Sequence, residues 1–273
     1  MSCPLPKQNL FVLVRCAQIP SLHWETVKLL MPMFEKGRVM IPKGEKIYTL
    51  TPEKLLGRPL NDIESKYAPK KPYATGNAKK IPLLGPRAAI IGSRKASPQG
   101  LRAGSDIARA LVGKGVVIIS GLAEGIDTAA HKTTIEQGGQ TIAVLGTPLD
   151  RAYPQKNLQL QETIKRHHLA ISQFPIGYPI QPKNFVLRNR TMALISDASI
   201  IVEAGDTSGS LHQGWEALRL GRPLFIWKSV MNDSSLSWPK KMLDYGAVEL
   251  KKPEAVVDLL PSSEISLEIN VPV

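Results

Sequence analysis

The sequence predicts an α/β fold: a mostly parallel sheet with helices on both faces, preceded by a small α+β unit. Three observations predict it. Apolar runs at 88–91, 116–119, 141–145 and 199–202 are too short for helices and are rich in β-branched residues, as buried strands are. Each run is followed by small residues and then by a helix-length segment, the alternation of a parallel sheet with crossover helices. All four small-residue loops therefore follow the carboxyl ends of their strands, where open α/β sheets hold ligands. Function is expected at that edge.

Taken in order, residues 1–65 read as the small α+β domain. Residues 11–14 suit a strand. Val27, Leu30, Met31 and Phe34 have helical spacing, interrupted by Pro32. Residues 39–41 and 46–49 suit a hairpin around 42–45. Thr51 before Pro52 is a helix start with proline at the first position, and Gly57 ends that helix. Residues 65–80 hold five Lys, two Pro and two Tyr and read as an exposed connection. The main domain is expected over 66–262, with a loose tail at 263–273.

Within that domain Ser97 and Pro98 open a helix whose apolar face is Leu101, Ile107, Leu111 and Val112, closed by Gly113. Further helices are expected at 126–136, 157–167, 186–195 and 211–220, with strands at 169–172 and 223–226. Pro175, Pro179 and Pro182 suggest an extended path over 173–184. Short helices are expected at 238–245 and 253–260.

The 273 residues carry a formal charge of +12 and are 43% hydrophobic. The charge is uneven: net +8 over 1–85, +7 over 86–230 and −3 over 231–273. A basic protein of this kind suits a polyanionic partner, although charge alone shifts the balance only modestly. Cys3 and Cys16 have neither zinc nor redox-motif spacing, and a reduced, cytoplasmic location is expected. Residues 10–14 are too short an apolar run for a signal peptide, and no run approaches the roughly 20 apolar residues of a membrane span. No P-loop follows any strand, and no dinucleotide fingerprint follows the first, which disfavours P-loop ATPase and ordinary NAD chemistry. The histidines lack a metal-binding spacing, so neither a metal nor a cofactor is expected.

Four loops could carry chemistry. Gly92, Ser93, Arg94 and Lys95 combine a tight turn, backbone N–H groups, a hydroxyl and a guanidinium, which suit a phosphate. Gly121 and Gly125 frame a second strand-to-helix junction. Asp127 and His131, one turn apart, read as a helix-start carboxylate with a neighbour rather than a catalytic dyad. Gly205 and the residues up to Ser210, with Ser208 and Gly209 among them, form an anion cradle before a helix. Arg188 and Arg190 stand two apart, so they cannot share one helix face. At a helix start one would reach a ligand while the other holds the structure. Arg151, Lys156 and Lys183 add positive charge next to the same edge.

In this order the loops resemble the DprA/Smf family of DNA-processing proteins. The matching pieces are residues 89–94, 120–127, 129–131 and 143–146, then Leu149-Asp150, Tyr153-Pro154 with Asn157, and Asn184-Phe185 with Arg188-Asn189-Arg190. Ser196-Asp197, residues 202–204 and 208–211, and Gly221-Arg222 complete the set. The resemblance covers about residues 70–228. It implies an extended Rossmann-like fold and binding and protection of single-stranded DNA. It also implies loading of the RecA recombinase in natural transformation, a homodimer, and no enzymatic activity. Carried over residue by residue, the DNA pocket draws on Ser93, Arg94, Arg151 and Lys156. Gly92, Lys95, Gly121, Asn157, Lys183, Asn184, Arg188, Arg190, Ser208, Gly209 and Ser210 are further DNA-binding candidates at the same edge.

The sequence departs from the family at residues 1–65, which do not look like its helical domain, and in showing no counterpart of the winged-helix domain that other members carry. Trp227-Lys228 and the residues from His212 to Trp215 also differ from the usual pattern. The alternative reading is a nucleotide-binding sensor, or an enzyme like the nucleoside-monophosphate phosphoribohydrolases of the same fold superfamily. There the expected carboxylate falls on Gln213, which cannot act as an ionised base. Aromatics near the basic loops, Phe174, Tyr178 and Phe185, suit either base stacking or ordinary packing.

Overall fold

The computed structural model describes residues 46–76 and 85–261. Their nine strands form one sheet in the order β1-β2-β6-β5-β4-β3-β7-β8-β9. The strands are β1 (Tyr48–Thr49), β2 (Tyr73–Gly76), β3 (Arg87–Gly92), β4 (Val117–Ser120), β5 (Thr141–Leu145), β6 (Leu169–Ser172), β7 (Ala198–Glu203), β8 (Leu224–Trp227) and β9 (Val248–Leu250). From β6 across to β9 all neighbours are parallel, while β1 and β2 run antiparallel at one edge. The α/β expectation holds, and the strands read from apolar runs fall within a residue or two of their observed positions.

Alternating residues of the central strands feed two cores. Ala88 and Ile90 of β3, with Ala198, Ile200 and Val202 of β7, face one side; Ala89, Ile91 and Ile201 face the other. That is the strand period of two, applied where both faces are covered. Helices α3 (Pro98–Val112) and α4 (Ile126–Glu136) pack together on the first side, and α6 (Pro182–Ile195) and α7 (Ser210–Arg219) together on the other. Helix α5 (Leu158–His167) packs on β5 and β6, the short α8 (Lys228–Met231) packs on β8, and α9 (Trp238–Asp244) packs on α8. Because β3 has β4 on one side and β7 on the other, strand order reverses at β3. A crevice opens at such a reversal, beyond the carboxyl ends of the strands.

Several local expectations are realised by specific bonds. Ser97 accepts a hydrogen bond from the Gly100 N–H at the start of α3, and Gly113 caps its end. Thr51 caps α1 (Pro52–Leu56), which stops at Gly57. Others need correction. Residues 65–80 do not form an exposed connection throughout: β2 inserts between β1 and β6, with Ala74 and Thr75 fully buried. Its four residues are too few to stand out against flanking Lys and Pro. The 48–49 strand pairs with 73–74; its expected hairpin partner at 39–41 lies outside the described residues. So do the strand at 11–14, the helix at 22–34, both cysteines and the tail at 263–273. Helix α6 begins at Pro182, not 186, because Pro182 occupies a first-turn position where its missing N–H costs nothing.

Residues 46–67 are tied to the sheet by buried charge. Arg58 grips the Glu64 carboxylate through two nitrogens, and Arg222 reaches the same carboxylate at 2.9 Å. Glu64 also completes a capping box with Asn61 at the start of α2 (Asp62–Tyr67). The Arg58 hydrogen bonds hold the Glu64 carboxyl below its ordinary range. Arg87, opening β3, donates to the Leu55 carbonyl of α1 at 2.7 Å.

Candidate nucleic-acid interface

Four loops meet at the strand reversal; the first is tied to the end of β7 and to the second, and the second to the third. The first follows β3. Its Ser93 N–H donates to the Glu203 carbonyl at 2.7 Å, and the Glu203 carboxylate accepts from the Ser97 N–H and hydroxyl at 2.9 and 2.5 Å. Loop and helix start are thereby fixed to the end of β7. Gly125, in the second loop, has φ +78°, and a Cβ there would overlap the Ser93 carbonyl; only glycine allows that approach. With its backbone held on both sides, the first loop projects Arg94 and Lys95 into solvent.

The third loop is tethered to the second by Asn157. Its amide donates to the Leu122 carbonyl at 2.9 Å, the Ala123 carbonyl at 3.3 Å and the Thr128 hydroxyl at 2.8 Å. Leu122 has φ +57°, a left-handed conformation uncommon for a side chain of its size. The fourth loop is held by Asp206, which accepts from the Ser237 N–H and hydroxyl at 3.1 Å each, and by Trp238, whose indole N–H donates to the Ala204 carbonyl at 3.1 Å. The Asn189 amide donates to the Gly209 carbonyl at 3.0 Å, and the Ser208 and Ser210 hydroxyls pair at 2.6 Å.

Between the loops lies a cleft in two connected parts. The smaller part, about 190 Å³, is lined by Arg94, Lys95, Gly121, Ala123, Glu124, Tyr153, Pro154, Phe185 and Arg188. The larger part, about 510 Å³, shares Arg94, Lys95, Ala123, Phe185 and Arg188 and extends past Asn189 and Met192 to the 205–210 loop, His212 and Gln213. Arg94 lies over the Phe185 ring, 5.6 Å from its centroid, and Phe185 packs on Tyr153 at 5.2 Å and 49°. Cation, ring and ring together make a surface on which a nucleobase can stack beside a group that binds its phosphate.

The floor of the cleft is a buried charge assembly. Arg188 donates to the Gly121 carbonyl in a short bond and to the Val144 carbonyl at 3.1 Å. Its guanidinium sits where a Cβ on Gly121 would have to go. The buried Asp127 carboxylate accepts from the Gly121 and Ala123 N–H groups at 3.2 and 3.3 Å. Burial pushes the Asp127 carboxyl above its ordinary range, and the Arg188 charge and the two N–H groups pull it back. Burial likewise draws the Arg188 guanidinium below its usual value, against the pull of Asp127, and an arginine so shifted still carries its charge at neutral pH. His131 turns to the Thr141 hydroxyl at 2.7 Å; burial lowers its pKa to about 3, so it is a neutral core residue.

The predicted residues thus divide. Gly92, Ser93, Arg94, Lys95, Gly121, Arg188, Ser208, Gly209 and Ser210 line the cleft. Lys156 stands at its lip, paired with Glu124 at 2.9 Å. Asn157 and Asn184 are buried and spend their amides on loop carbonyls, Asn184 on that of Pro179 at 2.9 Å. Arg151, Lys183 and Arg190 do not line the cleft. The Arg151 carbonyl accepts from Thr147 and Gln161, and Arg190 pairs with Glu216 at 3.0 Å. Arg188 is not at a helix start, because α6 begins a turn earlier than its sequence suggests. Tyr153 and Glu124 also line the cleft; the sequence reading matched them only as motif residues and not as DNA contacts, the first being an exposed aromatic beside Pro154 and the second the acidic residue of a glycine-framed loop.

The profile of the family described as DNA recombination-mediator protein A matches residues 49–261. The chain belongs to this family. Among its relatives, the DNA processing protein DprA of Bacillus subtilis is 32% identical over 181 residues, 66% of this chain and 61% of that one. DprA of Streptococcus pneumoniae is 41% identical over 140 residues, 51% and 49% of the two chains. The matched part is therefore about half to three-fifths of these relatives' length. The crystal structure of S. pneumoniae DprA superposes with a TM-score of 0.69 at 29% identity, covering 94% of this chain and 84% of that one. A Helicobacter pylori DprA structure, described as revealing a single-stranded DNA binding mode, gives 0.65 at 26% identity over 79% and 95%. The family and its Rossmann-like architecture agree with the resemblance read from the loops. Among the described residues no helix is long and apolar enough to cross a membrane.

Proposed function

We propose that the cleft binds single-stranded DNA, and that the protein handles and protects such strands in homologous recombination. The observation that carries this reading is the exposed Arg94 guanidinium on the Phe185–Tyr153 ring pair at the mouth of a cationic cleft. A duplex buries the faces of its bases, whereas a single strand can lay one on a ring while Arg94 and Lys95 hold its phosphates. The single-strand binding described for the H. pylori relative supports the reading. Family membership supports the finer roles we propose with it: a homodimer in the cytoplasm that passes strands to the RecA recombinase during natural transformation, without catalytic turnover. Against a phosphoribohydrolase-like activity stands Gln213, whose fully buried amide points to the Ser199 hydroxyl at 3.4 Å where a carboxylate would be needed.

The test compares affinity of the purified protein for single- and double-stranded oligonucleotides across a salt series, with Arg94→Ala alongside. Single strands are expected to bind more tightly, with affinity falling steeply in salt, and Arg94→Ala is expected to weaken binding while its thermal melt is unchanged. Equal affinity for both forms, or a folded Arg94→Ala protein that binds like wild type, would refute the reading. Release of free base from a nucleotide would favour the enzyme instead.

A further inference from the structure

The smaller part of a cleft read as a polyanion site contains one carboxylate among its lining residues, Glu124. It stands beside Arg94 and Lys95 and holds the Lys156 ammonium at 2.9 Å. Both partners are exposed, Lys156 at 77% and Glu124 at 40%, and an ion pair so exposed contributes little to stability. Yet its geometry is built in. Asn157, next to Lys156, is bonded to the carbonyls of Leu122 and Ala123, next to Glu124. The two backbones cannot drift apart, so cation and carboxylate stay within reach of each other.

We infer that Glu124 is a specificity-determining residue of the cleft, a resident carboxylate that occupies Lys156 and yields it only to ligands with exposed base edges. The inference rests on the single-strand reading above. A phosphate reaching Lys156 must displace Glu124 and then face its negative charge at close range. A polyanion offering only its backbone here receives nothing in exchange, and a double helix keeps its imino N–H groups and one hydrogen of each paired amino group inside the base pairs, which leaves far fewer donors for the carboxylate. A single strand brings unpaired amino and imino N–H groups, which a carboxylate accepts. Glu124 then changes partner instead of losing one. The residue lowers affinity for anions in general and spares affinity for single strands.

The experiment measures binding of a single-stranded oligonucleotide, the matching duplex and heparin by fluorescence anisotropy and competition, for wild type, Glu124→Gln, Lys156→Ala and the double variant. Thermal melts check that each is folded. Glu124→Gln is expected to tighten duplex and heparin binding about two- to fivefold and to steepen the duplex salt slope by about one phosphate contact. Single-strand affinity should change less than about twofold, the lost carboxylate being offset by the freed lysine. In the double variant the gain should vanish, because the cation released is Lys156. Equal tightening for all three ligands, or for none, overturns the inference. If wild type binds single strands and Glu124→Gln reproduces its full pattern, this inference alone fails; if wild type binds no single strand, the reading of the cleft fails with it.

Discussion

The floor and the lip of the cleft use the same chemistry to opposite ends. At the floor, Arg188 is almost fully buried, with its hydrogen bonds going to carbonyls of two neighbouring loops and strands and Asp127 close by. At the lip, Arg94 is exposed, with a ring beneath it. Both arginines fall in motifs of the family; the resemblance puts Arg94 in the DNA pocket and Arg188 among further candidates at the same edge. The difference teaches that a cation's role depends on how it is held. A buried guanidinium anchored through Nη1 to two carbonyls, as Arg188 is, fixes loop positions even with its Nε unpartnered among the described residues; one that stands in water is available to a phosphate.

The sharpest way to break this contrast is at the floor. Gly121→Ala places a methyl group where the Arg188 guanidinium lies. The side chain must move and leave its carbonyl partners, and Asp127 loses its counter-charge. Overpacking with disruption of a buried charge pair is expected to cost about 3 kcal/mol or more of unfolding free energy, read from urea denaturation. A variant as stable as wild type would show that the floor is looser than its bonds suggest.

The next effect also belongs to the buried side and is read by pH. His131 is fully buried and its pKa falls from 6.5 to about 3 on folding. Below pH 6.5 the unfolded chain takes up a proton that the folded chain refuses, so stability falls as the solution is acidified. The slope is about 1.4 kcal/mol per pH unit between pH 6.5 and about 3, which amounts to about 2 kcal/mol at pH 5. Replacing His131 with Asn, which can still bond the Thr141 hydroxyl, should remove that slope from the difference between the two proteins. Parallel stability curves from pH 7 to 5 would mean that His131 is not held neutral.

At the lip the expected effect moves from stability to binding. Arg94→Ala should weaken single-strand affinity about tenfold, or about 1.4 kcal/mol, and leave the urea midpoint within error. Loss of both properties would place Arg94 with Arg188.

How much of this was legible beforehand follows the same line. The central strands were legible because burial on both faces makes them continuous apolar runs. β2 was not, since four residues between Lys- and Pro-rich flanks carry no run, and β9, at the far edge, is three residues long. The Arg94 loop could be read locally: a glycine at a strand end followed by a hydroxyl and a cation is a property of adjacent residues. The burial of Arg188, the tether of Asn157 and the left-handed Leu122 could not. Each depends on groups from another part of the chain: Gly121 and Val144 for Arg188, 67 and 44 residues away, and Leu122 for Asn157, 35 residues away. Spacing within a motif says nothing of which donors such distant partners consume.

Arg190 gives the smallest effect and the most discriminating one. It shares a motif with Arg188, two positions on, and helix geometry turns it to a different face. There it pairs with Glu216 of α7 at 3.0 Å and lies 5.7 Å from the Tyr67 ring, outside the cleft lining. A partly exposed pair of this kind contributes about 0.5 kcal/mol, and Arg219 remains on the same carboxylate after its removal. Arg190→Ala should therefore lower stability by no more than about that amount and leave single-strand affinity within about twofold. A large loss of binding in a fully folded Arg190→Ala protein would mean that the nucleic acid runs over the α6–α7 face, and that an existing ion pair does not mark a cation as structural.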